Sequence, residues 1–124
     1  MDDPGFWRAR PNAPPPGAVL GALTEIAPGG AKEYRFGRGR STFSMFVVRL
    51  EDGVRAYLNL CPHFSLPLNQ APNQFLHGED ILCRQHFALF RADTGICFSG
   101  ACEGRSLIAI AIHVSDDGML TIAD

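Results

Sequence analysis

The feature that most constrains this chain is a pair of short metal-ligand motifs, Cys61-Pro62-His63 and Cys83-Arg84-Gln85-His86. Each motif combines one thiol with one imidazole, and nineteen residues separate the two motifs. Ligands at two points joined by a loop can meet around one site once the chain folds. Sulfur and ring nitrogen are ligands of zinc and of iron–sulfur clusters. The pattern predicts one metal centre held by Cys61, His63, Cys83 and His86.

The mixed composition of each motif separates two kinds of metal site. A common zinc finger places two Cys on one turn and two His three to five residues apart on a helix. A [2Fe–2S] centre in which two Cys hold one iron and two His hold the other needs the stoichiometry found here. We therefore predict one [2Fe–2S] cluster per chain. A zinc-stabilised interaction module with a mononuclear Cys2His2 site stays open as an alternative.

Three segments of the chain resemble the Rieske iron–sulfur family. Residues 59–68 are similar to its first cluster loop and residues 81–90 to its second, and these segments contain the two ligand motifs. Residues 93–107 are similar to the third loop, which ends in a Leu that begins a strand. The resemblance extends over about residues 17–124, so it covers nearly the whole chain.

The resemblance implies an all-β fold of stacked antiparallel sheets, with a cluster-binding subdomain formed by two loops. It implies a one-electron carrier, not an enzyme, in which the Cys pair holds the buried iron and the His pair the outer iron. The implied partners are a flavin reductase upstream and a terminal oxygenase, or another redox enzyme, downstream. The small subunit of a nitrite-reductase-like complex shares this fold and stays open as an alternative.

Three positions depart from the family pattern. Ser65 and Phe87 stand where the family commonly has Gly, and Ala101 stands where it has Pro. Glycine reaches positive φ at little cost, whereas a bulky residue is strained there. We therefore expect either an altered turn around the cluster or an ordinary φ at Phe87.

The residues around the ligands predict a low reduction potential. Within the family that this chain resembles, the members of high potential have an extra Cys in each ligand loop and two hydroxyl side chains after the second His. Here the extra Cys positions hold Leu66 and Gln85, and the hydroxyl positions hold Ala88 and Phe90. Hydrogen bonds to the cluster sulfurs stabilise the reduced, more negative state. Without them we expect a potential on the order of −150 mV.

Apolar residues surround the ligand motifs. Phe64 and Phe87 each follow a ligand His, and Leu66 and Pro67 lie nearby in the first loop. Exposed apolar patches with polar rims often mark contact sites, which favours docking of a redox partner. Rings that turn inward and shield the cluster from water are the alternative.

The remaining Cys and His residues receive no ligand role. Cys97 and Cys102 are predicted to be buried reduced thiols, because free Cys often lies in cores. A disulfide that braces the third loop, or extra ligands, is the alternative. His113 lies in an alternating segment and is expected to point outward, and His77 has no Cys or carboxylate partner pattern around it.

Length and charge restrict the classes of function. A chain of 124 residues is expected to form one domain, here residues 17–124 after a Pro-rich extension at residues 1–16. A net charge of −2 offers no general affinity for nucleic acid. Apolar segments stay shorter than a membrane span, and the first residues lack the apolar region of a signal peptide. We therefore expect a cytoplasmic protein that contacts no membrane.

Alternating apolar residues and turn signals predict strands and no amphipathic helix. Glu51-Asp52-Gly53 marks a hairpin that leads into Cys61, and Asp93-Thr94-Gly95 marks a second one after His86. The predicted strands are residues 19–26, 31–36, 43–50, 54–60, 80–83, 87–91, 96–98, 107–114 and 119–122.

Overall fold

A computed structural model describes residues 6–62, 66–100 and 102–123. The described residues form ten strands and no α-helix, which confirms the all-β expectation. Three short 3-10 turns, Phe6–Ala9, Leu23–Glu25 and Gly39–Ser41, join the strands or precede them. The strands are β1 (Val19–Ala22), β2 (Ala31–Phe36), β3 (Phe43–Leu50), β4 (Gly53–Leu58), β5 (Leu76–His77), β6 (Asp80–Leu82), β7 (Leu89–Arg91), β8 (Cys97–Ser99), β9 (Ile112–Val114) and β10 (Met119–Ile122).

The strands build three antiparallel sheets. Sheet A has the order β1-β10-β9, sheet B the order β2-β3-β4 and sheet C the order β5-β6-β7-β8. Sheets B and C are meanders, in which strands that are consecutive in the chain lie side by side. Sheet A instead pairs β1 with the last strand of the chain.

Sheet B is the middle layer, because both of its faces are buried. Along β3, Met45 and Val47 lie in a core shared with Leu120 of sheet A. The intervening Phe46 and Val48 lie in a second core, which holds the residues of sheet C and the two ligand Cys. A strand covered on both faces is apolar along its length, since successive side chains point to opposite faces.

The N-terminal segment packs on the body of the protein. Trp7 is 1% exposed and its ring centroid lies 6.0 Å from that of Phe43. The Arg8 guanidinium lies over the Trp7 ring and donates from Nη2 to the Ala123 carbonyl oxygen. The segment is therefore held by burial of an aromatic ring against the core of sheets A and B.

The structure corrects the prediction of one long strand at residues 107–114. Only Ile112–Val114 is a strand of sheet A. The preceding residues run beside β4, where Leu58 N donates to Ile108 O and Ile110 N to Ala56 O, both at 2.9 Å. The segment crosses from sheet B to sheet A. The alternation of apolar and polar residues therefore continues along the chain, while the strand that accepts and donates its hydrogen bonds changes.

Smaller differences concern strand ends and short strands. The first predicted strand stops at Ala22, because residues 23–25 form a 3-10 turn. The two-residue strand Leu76–His77 was not predicted, since it is too short for a periodic signal. None of the helices in the described ranges is long and apolar enough to cross a membrane.

Candidate metal centre

The first ligand loop follows β4 directly. The strand ends at Leu58, and Cys61 comes three residues later. The Cys61 N–H donates to the Leu66 carbonyl oxygen at 2.7 Å. The predicted ligand His63, with Phe64 and Ser65, lies outside the described residues.

The second ligand loop joins β6 to β7. The Cys83 N–H donates to the Ala88 carbonyl oxygen at 2.9 Å, and the Phe87 N–H donates to the Cys83 carbonyl oxygen at 2.7 Å. Phe87 adopts a φ of 63°, the left-handed conformation that glycine adopts at least cost. The expectation of an ordinary φ at Phe87 is therefore wrong: the residue has the backbone conformation that glycine adopts at least cost, and it is strained there.

The donor atoms of three predicted ligands meet where the loops approach each other. The Cys61 Sγ lies 3.6 Å from the His86 Nε2, and the Cys83 Sγ lies 3.3 Å from the His86 Nδ1. Atoms of all three side chains lie within 4.8 Å of one another. In the described part of the chain this group contains neither His77 nor His113, and both of those residues are exposed.

The two predicted Cys ligands are more deeply buried than His86. Cys61 and Cys83 are 0% exposed, whereas His86 is half-buried. Removal from water raises the pKa of the Cys83 thiol, and the neighbouring Cys61 acts in the same direction. Thiolates buried here need a cation, which a metal centre provides. Two buried sulfurs beside a partly exposed imidazole fit an asymmetric centre with a sulfur end inside and a nitrogen end near the surface.

Direct hydrogen bonds hold the two ligand loops together. The Arg84 N–H donates to the Leu68 carbonyl oxygen at 2.7 Å, and the Gln85 amide donates to the Pro67 carbonyl oxygen at 3.0 Å. The Gln70 amide donates in the opposite direction, to the Arg84 carbonyl oxygen at 3.2 Å. The distance between the two ligand loops is therefore set by these direct hydrogen bonds as well as by packing of the core.

The third loop covers the two ligand loops from the side. Gly100 has a φ of 106°, and a Cβ built on it would lie 2.9 Å from the Ala88 Cα. Arg105 donates from Nη1 to the carbonyl oxygen of Pro62, between the two ligands of the first motif. The amino-acid sequence does not predict this role of Arg105, because nothing in a one-dimensional pattern pairs an Arg with a distant carbonyl group.

The two further cysteines lie behind the ligands. Cys97 and Cys102 are free thiols, 2% and 1% exposed, with their Sγ atoms 3.3 Å apart. The Cys97 thiol also lies 3.3 Å from the Ser99 carbonyl oxygen. Burial raises the pKa of the Cys102 thiol, with a further contribution from Cys97. The prediction that both cysteines are buried is confirmed. The raised pKa makes the Cys102 thiol a poor nucleophile.

The apolar side chains of the two ligand loops differ in their exposure to solvent. Phe87 is 69% exposed and Leu66 is 46% exposed, and Pro67 is exposed as well. By contrast Ala88 and Phe90 are fully buried. The Phe87 ring therefore does not turn into the protein interior, contrary to the shielding alternative.

Known protein families identify the domain. The family described as the Rieske [2Fe–2S] domain matches residues 19–113, which includes both ligand motifs. The chain belongs to the Rieske [2Fe–2S] domain family. The cofactor of this family is a [2Fe–2S] cluster, and the Cys and His donors of this Rieske chain are positioned to bind it.

Solved structures with the same fold include two ferredoxins. The ferredoxin of carbazole 1,9a-dioxygenase from Nocardioides aromaticivorans IC177 is 23% identical over 89% of this chain and all (100%) of that protein, with a TM-score of 0.66. The Sphingomonas yanoikuyae B1 ferredoxin is 18% identical over 87% of this chain and 98% of that protein, with a TM-score of 0.62.

A larger protein contains the same fold as a part. The quaternary ammonium Rieske monooxygenase CntA is 15% identical over 100% of this chain but only 40% of its own length, with a TM-score of 0.66. No curated protein sequence matches this Rieske chain significantly. At these identities the structural matches establish the fold alone.

Proposed function

We propose that this chain is a one-electron carrier that passes electrons from a flavin reductase to a terminal oxygenase. The observation that carries the proposal is the meeting of two buried thiols and one half-buried imidazole in loops that also carry exposed apolar side chains. Complexes of oxygenase and ferredoxin in carbazole 1,9a-dioxygenase are among the structures with this fold, which supports an oxygenase as the acceptor.

The proposed ligand set follows the burial of the side chains. Cys61 and Cys83 would hold the inner iron, and His63 and His86 the outer iron. When bound, the cluster supplies a site that accepts and releases one electron. The protein excludes water from the sulfur end with the surrounding core, and it presents the His86 edge towards the surface. Electrons leaving through that edge have the shortest path to a partner.

The ligand assignment is tested by single substitutions compared with matched cysteines. Cys61→Ser, Cys83→Ser, His63→Ala and His86→Ala are each expected to abolish the visible absorption of the anaerobically purified protein and its EPR signal after dithionite reduction. Cys97→Ser and Cys102→Ser are expected to retain both signals, because these residues lie outside the proposed ligand set. Colourless wild-type protein that contains zinc and no iron would overturn the proposal.

The absence of hydroxyl groups at two buried positions supports a low potential. Ala88 and Phe90 are fully buried near the ligands and cannot donate a hydrogen bond from an O–H group. A reduced cluster gains less stabilisation in such a site. Redox titration followed by EPR is expected to return a midpoint on the order of −150 mV. A midpoint above 0 mV would contradict the assignment to a low-potential carrier.

We further propose that the partner docks on the tip formed by Leu66, Pro67 and Phe87, together with Phe64. Phe87→Ser is expected to slow electron transfer to a purified terminal oxygenase while the midpoint potential stays unchanged. Phe98→Ser provides the matched control, because Phe98 is 43% exposed on β8 and lies outside the ligand loops. An unchanged rate with a shifted potential in Phe87→Ser would instead assign the ring to shielding of the cluster.

A further inference from the structure

Asn59 occupies an unusual position at the entrance to the first ligand loop. Asn59 is only 6% exposed. All other Asn, Gln, Ser, Thr and charged residues in the described part of the chain are less deeply buried. Asn59 follows β4 and precedes Cys61 by two residues. A buried amide carries a large desolvation cost unless its donors and acceptor are satisfied, so its partners define its role.

The Asn59 side chain bonds in two directions at once. Its Oδ1 accepts the Leu68 N–H at 2.8 Å, on the return side of the ligand loop. Its Nδ2 lies 3.0 Å from the Ser44 Oγ and 2.8 Å from the Asn69 Oδ1, and donates to both. One amide therefore joins the start of the loop, the end of the loop and the middle strand of sheet B.

The outer bonds converge on one carboxylate. Ser44 donates from Oγ to the Glu33 Oε2 at 2.6 Å, and Asn69 donates from Nδ2 to the Glu33 Oε1 at 3.0 Å. Glu33 lies on β2, which pairs with β3 along six residues of each strand. Hydrogen bonds to a charged acceptor are stronger than neutral ones. The ring Asn59–Ser44–Glu33–Asn69 thus ties the loop to the most extensively paired sheet of the protein.

The inner bond reaches the second ligand loop through the backbone of a single residue, Leu68. The Leu68 N–H is bonded to Asn59, and the Leu68 carbonyl oxygen accepts the N–H of Arg84, the residue after Cys83. Leu68 is 0% exposed, so water cannot replace Asn59 as its partner. A displacement of Leu68 therefore changes the distance between Cys61 and Cys83.

We infer that Asn59 is a positioning residue for the cluster, and that it sets the spacing of the two Cys ligands from the rigid sheet B. The inference rests on the ligand set of the proposed function. Loss of the Asn59 bonds leaves the β-sheets in place but allows the Leu68 peptide to move, so the cluster is held less firmly. Loss of groups that orient metal ligands commonly weakens metal binding by 10–100-fold.

The test compares Asn59→Leu, which keeps the side-chain size but removes every bond, with Gln74→Leu. Gln74 is a half-buried amide outside the network, with no side-chain hydrogen bond among the described residues. The measured quantities are the rate of cluster bleaching with excess EDTA, the EPR g-values after reduction and the Tm of the apoprotein. We expect about tenfold faster bleaching and altered g-values in Asn59→Leu and neither change in Gln74→Leu.

Two further variants keep the test decisive if Asn59→Leu does not fold. Asn59→Asp keeps the acceptor for Leu68 but loses the donor, and Asn69→Leu removes the outer bonds to Asn59 and Glu33. Both are expected to bleach faster than wild type but more slowly than Asn59→Leu where it folds. Bleaching rates and g-values equal to wild type in the folded variants would overturn the inference, even if the apoprotein Tm falls.

The outcome for wild type separates this inference from the proposed function. A wild-type protein without iron would defeat the ligand assignment itself. A wild-type protein with an intact cluster, together with unaffected Asn59 and Asn69 variants, would defeat the positioning role alone.

Discussion

Arg105 and Pro62 are joined across 43 residues of sequence by a hydrogen bond of 3.2 Å from the guanidinium Nη1 to the carbonyl oxygen. Pro62 lies between the two ligand residues of the first motif, and Arg105 lies at the end of the third loop. The bond therefore joins the first ligand loop to the third loop. It explains why the third loop belongs to the metal centre although it contributes no proposed ligand.

Removal of this bond is expected to loosen the cluster without unfolding the protein. A hydrogen bond from a charged donor near the surface contributes about 1 kcal/mol, which corresponds to about a fivefold change in a rate or equilibrium constant. Arg105→Ala should therefore bleach about fivefold faster in EDTA than wild type. Arg38→Ala is the control, since Arg38 is an exposed Arg that lies outside the three loops of the metal centre. Equal bleaching rates for the two variants would refute a role for the Arg105 bond.

The strained backbone at Phe87 leads to a second prediction. A non-glycine residue in the left-handed region lowers the stability of the folded state by roughly 1–2 kcal/mol. Glycine avoids this strain, but its greater conformational freedom in the unfolded chain offsets part of the gain in stability. Phe87→Gly should therefore be more stable than Phe87→Ala by about 1 kcal/mol in urea unfolding of the apoprotein. The comparison with Ala removes the effect of the lost ring. If Ala were the more stable of the two, the positive φ at this position would be wrong.

Gly100 is predicted to tolerate no side chain. Both Gly100 and Gly104 have positive φ, at 106° and 89°, but only Gly100 faces the Ala88 backbone, whereas nothing lies within 4 Å of a Cβ on Gly104. Gly100→Ala should lose about 2 kcal/mol more in free energy of unfolding than Gly104→Ala, because overpacking adds to backbone strain. It should also bleach faster, since Ala88 accepts the Cys83 N–H. Equal losses in the two variants would show that the third loop does not press on the second.

Tyr57 should lower the free energy of unfolding as the solution becomes alkaline. Its hydroxyl donates to the Ala92 carbonyl oxygen at 2.8 Å, and burial raises the pKa of Tyr57 to about 12. A folded-state pKa above the unfolded value of about 10 means that the stabilisation is complete below pH 10 and is lost as the pH rises through 12.

Tyr57→Phe separates this effect from other alkaline transitions. At pH 8 the variant should be about 1 kcal/mol less stable than wild type in urea unfolding, because the Ala92 carbonyl group loses its donor. Between pH 10 and 12 the difference should shrink, since only wild type loses the contribution of the neutral hydroxyl group. A constant difference across that range would contradict the raised pKa.

Local patterns predicted most of the strands because their causes are local. The Phe43–Leu50 strand and the Ala31–Phe36 strand were predicted with the bounds that the structure has, since β-branched and aromatic residues lie between clear turn signals. The segment around Ile108 and Ile110 was predicted less well. The alternation of apolar residues in this segment indicates which side chains face the core. It does not indicate which sheet bonds to the segment, because that depends on residues far away in the chain.

The amino-acid sequence by itself determined which donor groups are available to a metal centre. Two Cys and two His at short, mixed spacings supply the thiol and imidazole groups of the proposed ligand set, and this information does not depend on the path of the chain. Only the tertiary structure decided how the ligand loops are held. The bonds of Asn59 to Leu68, of Arg84 to Leu68 and of Arg105 to Pro62 join residues with no shared periodicity. Such contacts arise because three sheets stack and bring their loops together, and a one-dimensional pattern carries no record of that packing.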